Sequence, residues 1–163
     1  MKKLFFIVII FSAFAAELLA QTNSAQITAS AEVVAPISIA RSADLNFGKI
    51  TIGGAGTVVL TATGSRTQTG SITLLTGGSE APGLFSVTGN ATATYTVTVP
   101  TSVTLKKTGA PTETMTADTF TNNATSLTGN SDQLKIGGTL RLVGSETVGA
   151  YISDLFVVTV AYN

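Results

Sequence analysis

From residue 26 onward the chain alternates apolar and polar positions with a period of two, and no stripe at i, i+3, i+4 interrupts it. The clearest stretch is Ala93–Val99. There Tyr95, Val97 and Val99 share one face and Thr94, Thr96 and Thr98 the other. Threonine suits such a segment, because its branched Cβ favours extended backbone and its hydroxyl can face water. The same pattern predicts strands at 26–34, 36–40, 44–52, 57–62, 71–76, 84–88, 93–99, 103–107, 114–121, 133–143 and 151–162. Turn residues fall between them: Gly53-Gly54-Ala55-Gly56, Gly77-Gly78, Ala81-Pro82-Gly83, Gly89-Asn90, Ala110-Pro111 and Gly129-Asn130. The polar stretch 122–132 reads as a surface loop. Gly137-Gly138 fits either a two-residue hairpin or a bulge that bends one long strand. Short strands at this spacing predict an all-β, antiparallel, immunoglobulin-like sandwich, with a closed β-barrel as the alternative.

The start of the chain has a different pattern. Lys2 and Lys3 precede an apolar run, Leu4 to Ala16, broken only by Ser12, and Ala20 offers a small residue before Gln21. This is the layout of a secretory signal peptide, residues 1–20, followed by a single domain over 21–163. Thirteen apolar residues fall short of the roughly 20 a membrane helix needs. The expectation is therefore a protein that crosses the periplasm, ends at the cell surface or outside it, and is not inserted in a membrane once the signal is removed.

Composition removes whole classes of chemistry. The chain has no Cys, His or Trp. Thiolate chemistry, Cys/His zinc sites and Ser-His-Asp nucleophiles are excluded, and a disulfide is impossible. Without residues 1–20 the chain keeps seven basic and eight acidic side chains, too even a balance to favour nucleic acid. The acids, Glu32, Asp44, Glu80, Glu113, Asp118, Asp132, Glu146 and Asp154, are scattered, and no paired acid/base motif emerges. We expect no catalytic residue, no cofactor and no metal site. Arg66, in Ser65-Arg66-Thr67, is expected to bond a neighbouring loop.

Both ends of the secreted portion carry strong alternation. Ile27, Ala29, Ala31 and Val33 face one way near the start, and Phe156, Val158, Val160 and Tyr162 near the end. The ending Gly149, Tyr151, Leu155, Val157 or Val158, Val160 and Tyr162 resembles the C-terminal strand of chaperone–usher pilins of the spore coat U and archaic fimbrial type. Leu45-Asn46-Phe47-Gly48 is similar to an early strand of that group. The whole secreted portion resembles a bacterial secreted domain-of-unknown-function family, number 4402, through residues 34–39, 45–48, 64–67, 137–140 and 151–163. The pilin resemblance implies an incomplete sandwich whose missing strand comes from the N-terminal extension of the next subunit. Ile27, Ala29, Ala31 and Val33 would be the donated residues, and Phe156, Val158, Val160 and Tyr162 the assembly strand. It implies partners as well: other copies or related subunits, a periplasmic chaperone and an outer-membrane usher. The alternative is a monomeric secreted binding or adhesion module whose N-terminal strand fills its own groove.

Overall fold

The computed structural model describes residues 23–124 and 126–163, so the signal-peptide expectation for 1–20 lies outside the described residues. Residues 34–163 form one compact unit, and 23–33 fall in a separate one. The compact unit is all-β, as the alternation predicts. Its strands are β1 (Ser38–Ala43), β2 (Ile50–Leu60), β3 (Arg66–Leu74), β4 (Gly83–Thr88) and β5 (Tyr95–Thr98). They continue with β6 (Ser102–Lys107), β7 (Ala110–Asn122), β8 (Ser131–Leu142), β9 (Tyr151–Ser153) and β10 (Thr159–Tyr162). Every ladder is antiparallel. The main sheet runs β1-β4-β8-β7-β6-β9, with β2 also on β8 and β3 on β2, while β10 and β5 form a small second sheet. The sheet curls into a sandwich-like arrangement. Its end strands β1 and β9 do not pair with each other, so the barrel alternative does not hold.

β8 organises this layout. Ile136 pairs with both Gly83 and Asn122, and Arg141 with both Thr57 and Thr116. A strand has two edges. β7 occupies one of them, so β4 and β2 must share the other in tandem, β4 over Ser131–Ile136 and β2 over Gly138–Leu142. Gly137 sits where they part. A Cβ there would fall inside the contact distance of Leu60 O and the Thr61–Ala62 peptide. Gly137-Gly138 is therefore a point inside one long strand, not a hairpin.

The inner face of β8 reads Leu134, Ile136, Gly138, Leu140, Leu142, and the core divides at the glycine. One cluster gathers Phe47, Val58, Leu60, Ile72, Met115, Ala117, Leu140 and Leu142. The other gathers Val87, Tyr95, Leu127, Leu134 and Ile136. Phe120 packs against both, its ring lying 2.9 Å from where a Gly138 side chain would begin. A bulge in β7 between Asp118 and Thr121 puts it there. Thr119 adopts φ 49°, a conformation a β-branched residue rarely takes, and the extra residue turns Phe120 inward.

Four sequence expectations need correction. Gly53-Gly54-Ala55-Gly56 is not a turn; it lies within β2, at a bulge between Ile52 and Gly56. Glycine is needed because Gly56 and Gly70 approach the opposing backbone too closely for a side chain. Of the expected strand 44–52, only Ile50 onward is strand. Residues 26–34 form no strand, since no sheet edge pairs with them to take up their peptide groups. Residues 151–162 divide into β9 and β10, which belong to different sheets.

Gly138→Val should lower stability by about 2–3 kcal/mol through overpacking against Phe120. Combined with Phe120→Ala, the loss should be clearly less than additive in denaturant titrations.

Candidate functional site

A groove of about 850 Å³ opens within residues 41–156. Its position follows from the sheet order. The sheet curls, and segments at its two ends border the same opening. On one side are Arg41 and Ala43 of β1, followed by residues 44–50. On the other are residues 149–156. The floor is the first core cluster and its neighbours: Leu105, Met115, Ala117, Phe120 and Leu140. Met115, Ala117 and Leu140 are buried, and Leu105 and Phe120 half-buried. Charge is confined to the rim, where Arg41 pairs with Asp44 at 2.9 Å and Lys106 with Asp154 at 2.6 Å, all exposed. Such pairs contribute little to stability, about 0–1 kcal/mol each.

Each wall is fastened by one polar cluster. Arg66 holds the 44–50 wall. Its guanidinium, 7% exposed, donates to Phe47 O at 2.9 Å, Lys49 O at 3.4 Å and Leu75 O at 2.7 Å, with Glu80 at 3.4 Å. The backbone of Asn46 exchanges two hydrogen bonds with Ala81. Arg66 thus bonds a neighbouring loop, as the sequence suggested, and the loop is the one carrying Leu45-Asn46-Phe47-Gly48. A buried guanidinium needs such acceptors, and Lys49 O also accepts from Leu75 N at 3.0 Å.

The opposite wall is fastened by Lys107, Glu113, Thr147 and Tyr151. Lys107 donates to Glu113 at 3.3 Å and to Thr147, and the Thr147 hydroxyl donates to Glu113. Tyr151 donates to Glu113 at 3.2 Å and to Thr147 O at 3.0 Å. The Thr147 hydrogen bond, followed by those from Lys107 and Tyr151, holds the Glu113 carboxyl below its usual range. β9 then pairs with β6 from Tyr151 to Ser153. Beyond Ser153 the wall has no strand partner until β10 begins at Thr159. Over that stretch Leu155 is 90% and Val157 73% exposed, while Phe156 turns inward and stacks on Phe120 with centroids 5.7 Å apart.

The structure separates the residues of the expected assembly strand. Phe156 lines the groove. Val158, Val160 and Tyr162 pack on the second core cluster, where β10 runs beside β5. The chain's own C-terminus therefore covers one half of the sandwich, and the other half is the open groove. Of the expected donor residues, Ile27 is 92% and Val33 96% exposed; Ala29 and Ala31 are exposed too, and none is in a strand. Met115, Ala117 and Leu105 were not singled out from the sequence as site residues. Their alternation marks them as inward-facing but does not show that they line a groove.

Arg66→Ala should cost about 1–3 kcal/mol in denaturant titrations, by removing the charge-assisted hydrogen bonds to Phe47 O and Leu75 O. A second outcome concerns alkaline pH. Burial of Tyr95, together with its 2.6 Å hydrogen bond to Asp132 and the charge of that carboxylate, pushes the phenol above its usual value. The folded state therefore holds the proton more tightly than the unfolded chain does. The resulting stabilisation is complete below about pH 10 and is lost as pH rises beyond it. Tyr95→Phe should flatten this alkaline decline in a series of melting curves from pH 8 to 11.

No curated protein and no solved structure matches the chain. The family model described as "Domain of unknown function (DUF4402)" matches residues 37–162. The matched range opens one residue before β1 and closes on the last residue of β10, so it takes in both walls of the groove and leaves residues 23–33 outside. The chain belongs to the DUF4402 family.

Proposed function

We propose that this protein is a non-enzymatic, secreted structural subunit of a surface fibre, related to the spore coat U and archaic chaperone–usher pilins. In this proposal subunits join when the N-terminal segment of one copy enters the groove of the next. The observation that carries the proposal is the groove itself. It is a largely apolar opening between the two ends of a curled sheet, where an added strand would lie between residues 44–50 and 149–156. Length supports the occupant. The groove wall over residues 149–156 has eight positions, and the alternating donor segment, about residues 25–33, is of similar length at nine. Two extended segments lying side by side match residue for residue, at about 3.3 Å each.

Adding a strand supplies main-chain hydrogen bonds to an edge that lacks them and places alternate side chains in the core. Ile27 and Val33 would contribute about 1.5–3 kcal/mol each on burial, and Ala29 and Ala31 much less. Main-chain pairing along residues 149–156 therefore supplies much of the remaining hold. A periplasmic chaperone would cover the same apolar opening in transit, and an outer-membrane usher would order the exchange.

Surface extracts of the native host, run unboiled on SDS gels, should show a ladder of this protein that collapses to a monomer on boiling. Deleting residues 21–33 should abolish the ladder while leaving the secreted monomer. A single monomer band before and after boiling would overturn the proposal and favour a monomeric binding module.

A further inference from the structure

A chain with an open groove and an unpaired terminal segment has two ways to satisfy itself, by filling its own groove or that of another copy. The far end of the molecule bears on which is used. Tyr162, the last residue of β10, places its hydroxyl between two backbone groups. It accepts a hydrogen bond from Asn90 N at 2.6 Å and donates one to Ala35 O at 2.8 Å. Just beyond Ala35, Ile37 and Ile39 pack on the second core cluster together with Val160 and Tyr162. The chain is thus pinned at Ala35 on the half of the sandwich that β10 already covers.

Apart from Phe120, which packs on both clusters, the groove touches this half only through Phe85 and Ile136. Along β1 its first lining residue is Arg41, six residues after Ala35, and along the C-terminal segment its last is Phe156, six residues before Tyr162. At about 3.3 Å per extended residue, either route runs up to about 20 Å from the pin to the groove. A segment that precedes Ala35 and doubles back toward its own groove uses about six residues on the way. Ala31 and Val33 then lie outside the groove, and only residues up to about Ala29 enter it. In another copy no such tether acts, and all of 26–33 is available.

We infer that the Tyr162–Ala35 clasp prevents the chain from filling its own groove with residues 26–33 and so commits that segment to a second copy. This inference rests on the strand-donation proposal. Tyr162 is a positioning residue here: it touches no part of the donated strand and acts by fixing where that strand begins.

The test uses the full chain secreted from its native host. A variant with eight Gly/Ser residues inserted between Val33 and Val34 keeps the clasp but lengthens the tether enough for 26–33 to reach the chain's own groove. A second variant, Tyr162→Phe, keeps the ring and removes the hydroxyl. Ladder and monomer are quantified on unboiled gels, with circular dichroism to confirm folding. The insertion should raise the monomer fraction at least fivefold at equal expression, and Tyr162→Phe should shift it in the same direction. Should Tyr162→Phe fail to fold, the insertion, placed in an exposed segment, still decides. A wild-type ladder with an unchanged ladder in the insertion variant overturns the clasp and leaves strand donation standing. A wild type without any ladder overturns both.

Discussion

β8 must serve two partners along one edge, and the rest of the fold follows from how it does so. β4 pairs with its first half and β2 with its second, while β7 runs along the other edge. Two strands cannot leave one edge in tandem unless the backbone between them is bare, and Gly137-Gly138 provides that break. The missing side chain at Gly138 leaves a hollow in the inner face, and the Phe120 ring occupies it. The ring reaches that position only because Thr119 takes a strained conformation in the β7 bulge. One glycine pair, one bulge and one aromatic ring thus divide the core into two clusters and set the line along which the sheet curls.

The two halves are finished differently. Val158, Val160 and Tyr162 cover the second cluster as part of β10 and the segment before it. Over the first cluster the chain supplies only β9 and then an unpaired stretch, and Met115, Ala117 and Leu105 line the groove. Arg66 fixes one wall, and the group around Glu113 fixes the other. Both walls are tied down by buried or partly buried polar contacts, so the groove is held open as a formed site and does not depend on an occupant for its outline. A chain without cysteine has no disulfide to do this. The guanidinium bonding three carbonyls carries out the corresponding task on the 44–50 side.

The strands with clean alternation were legible in the sequence. Residues 84–88, 93–99 and 103–107 each contain or nearly coincide with an observed strand, because each buries one face against a continuous core. Glycine-rich runs were not legible. Gly53-Gly54-Ala55-Gly56 carries turn composition, and only the approach of β3, with Gly70 opposite, shows that the glycines serve close backbone contact. At the N-terminus, alternation in Ile27, Ala29, Ala31 and Val33 specifies a face but no partner. A strand exists only where an edge accepts it. The groove was hidden for the same reason: a pattern of period two marks Met115 and Ala117 as inward-facing, while cover depends on whether strands far apart in sequence meet. Arg66 was visible as a residue bonding a nearby loop; that the loop forms a groove wall came from the topology.

The central claim is that the groove is the place of an absent strand and that residues 26–33 of another copy fill it. Because the chain has no cysteine, single-cysteine versions report on this directly: Thr28→Cys, Ser30→Cys or Glu32→Cys in one chain, and Leu155→Cys, which faces outward as they would, in another. Co-expressed under mild oxidation, they should give a disulfide-linked pair containing one chain of each kind, well above the yield when Leu155→Cys is combined with a cysteine at the exposed Thr67 on β3. Equal yields from both combinations, or no mixed pair at all, would contradict the account.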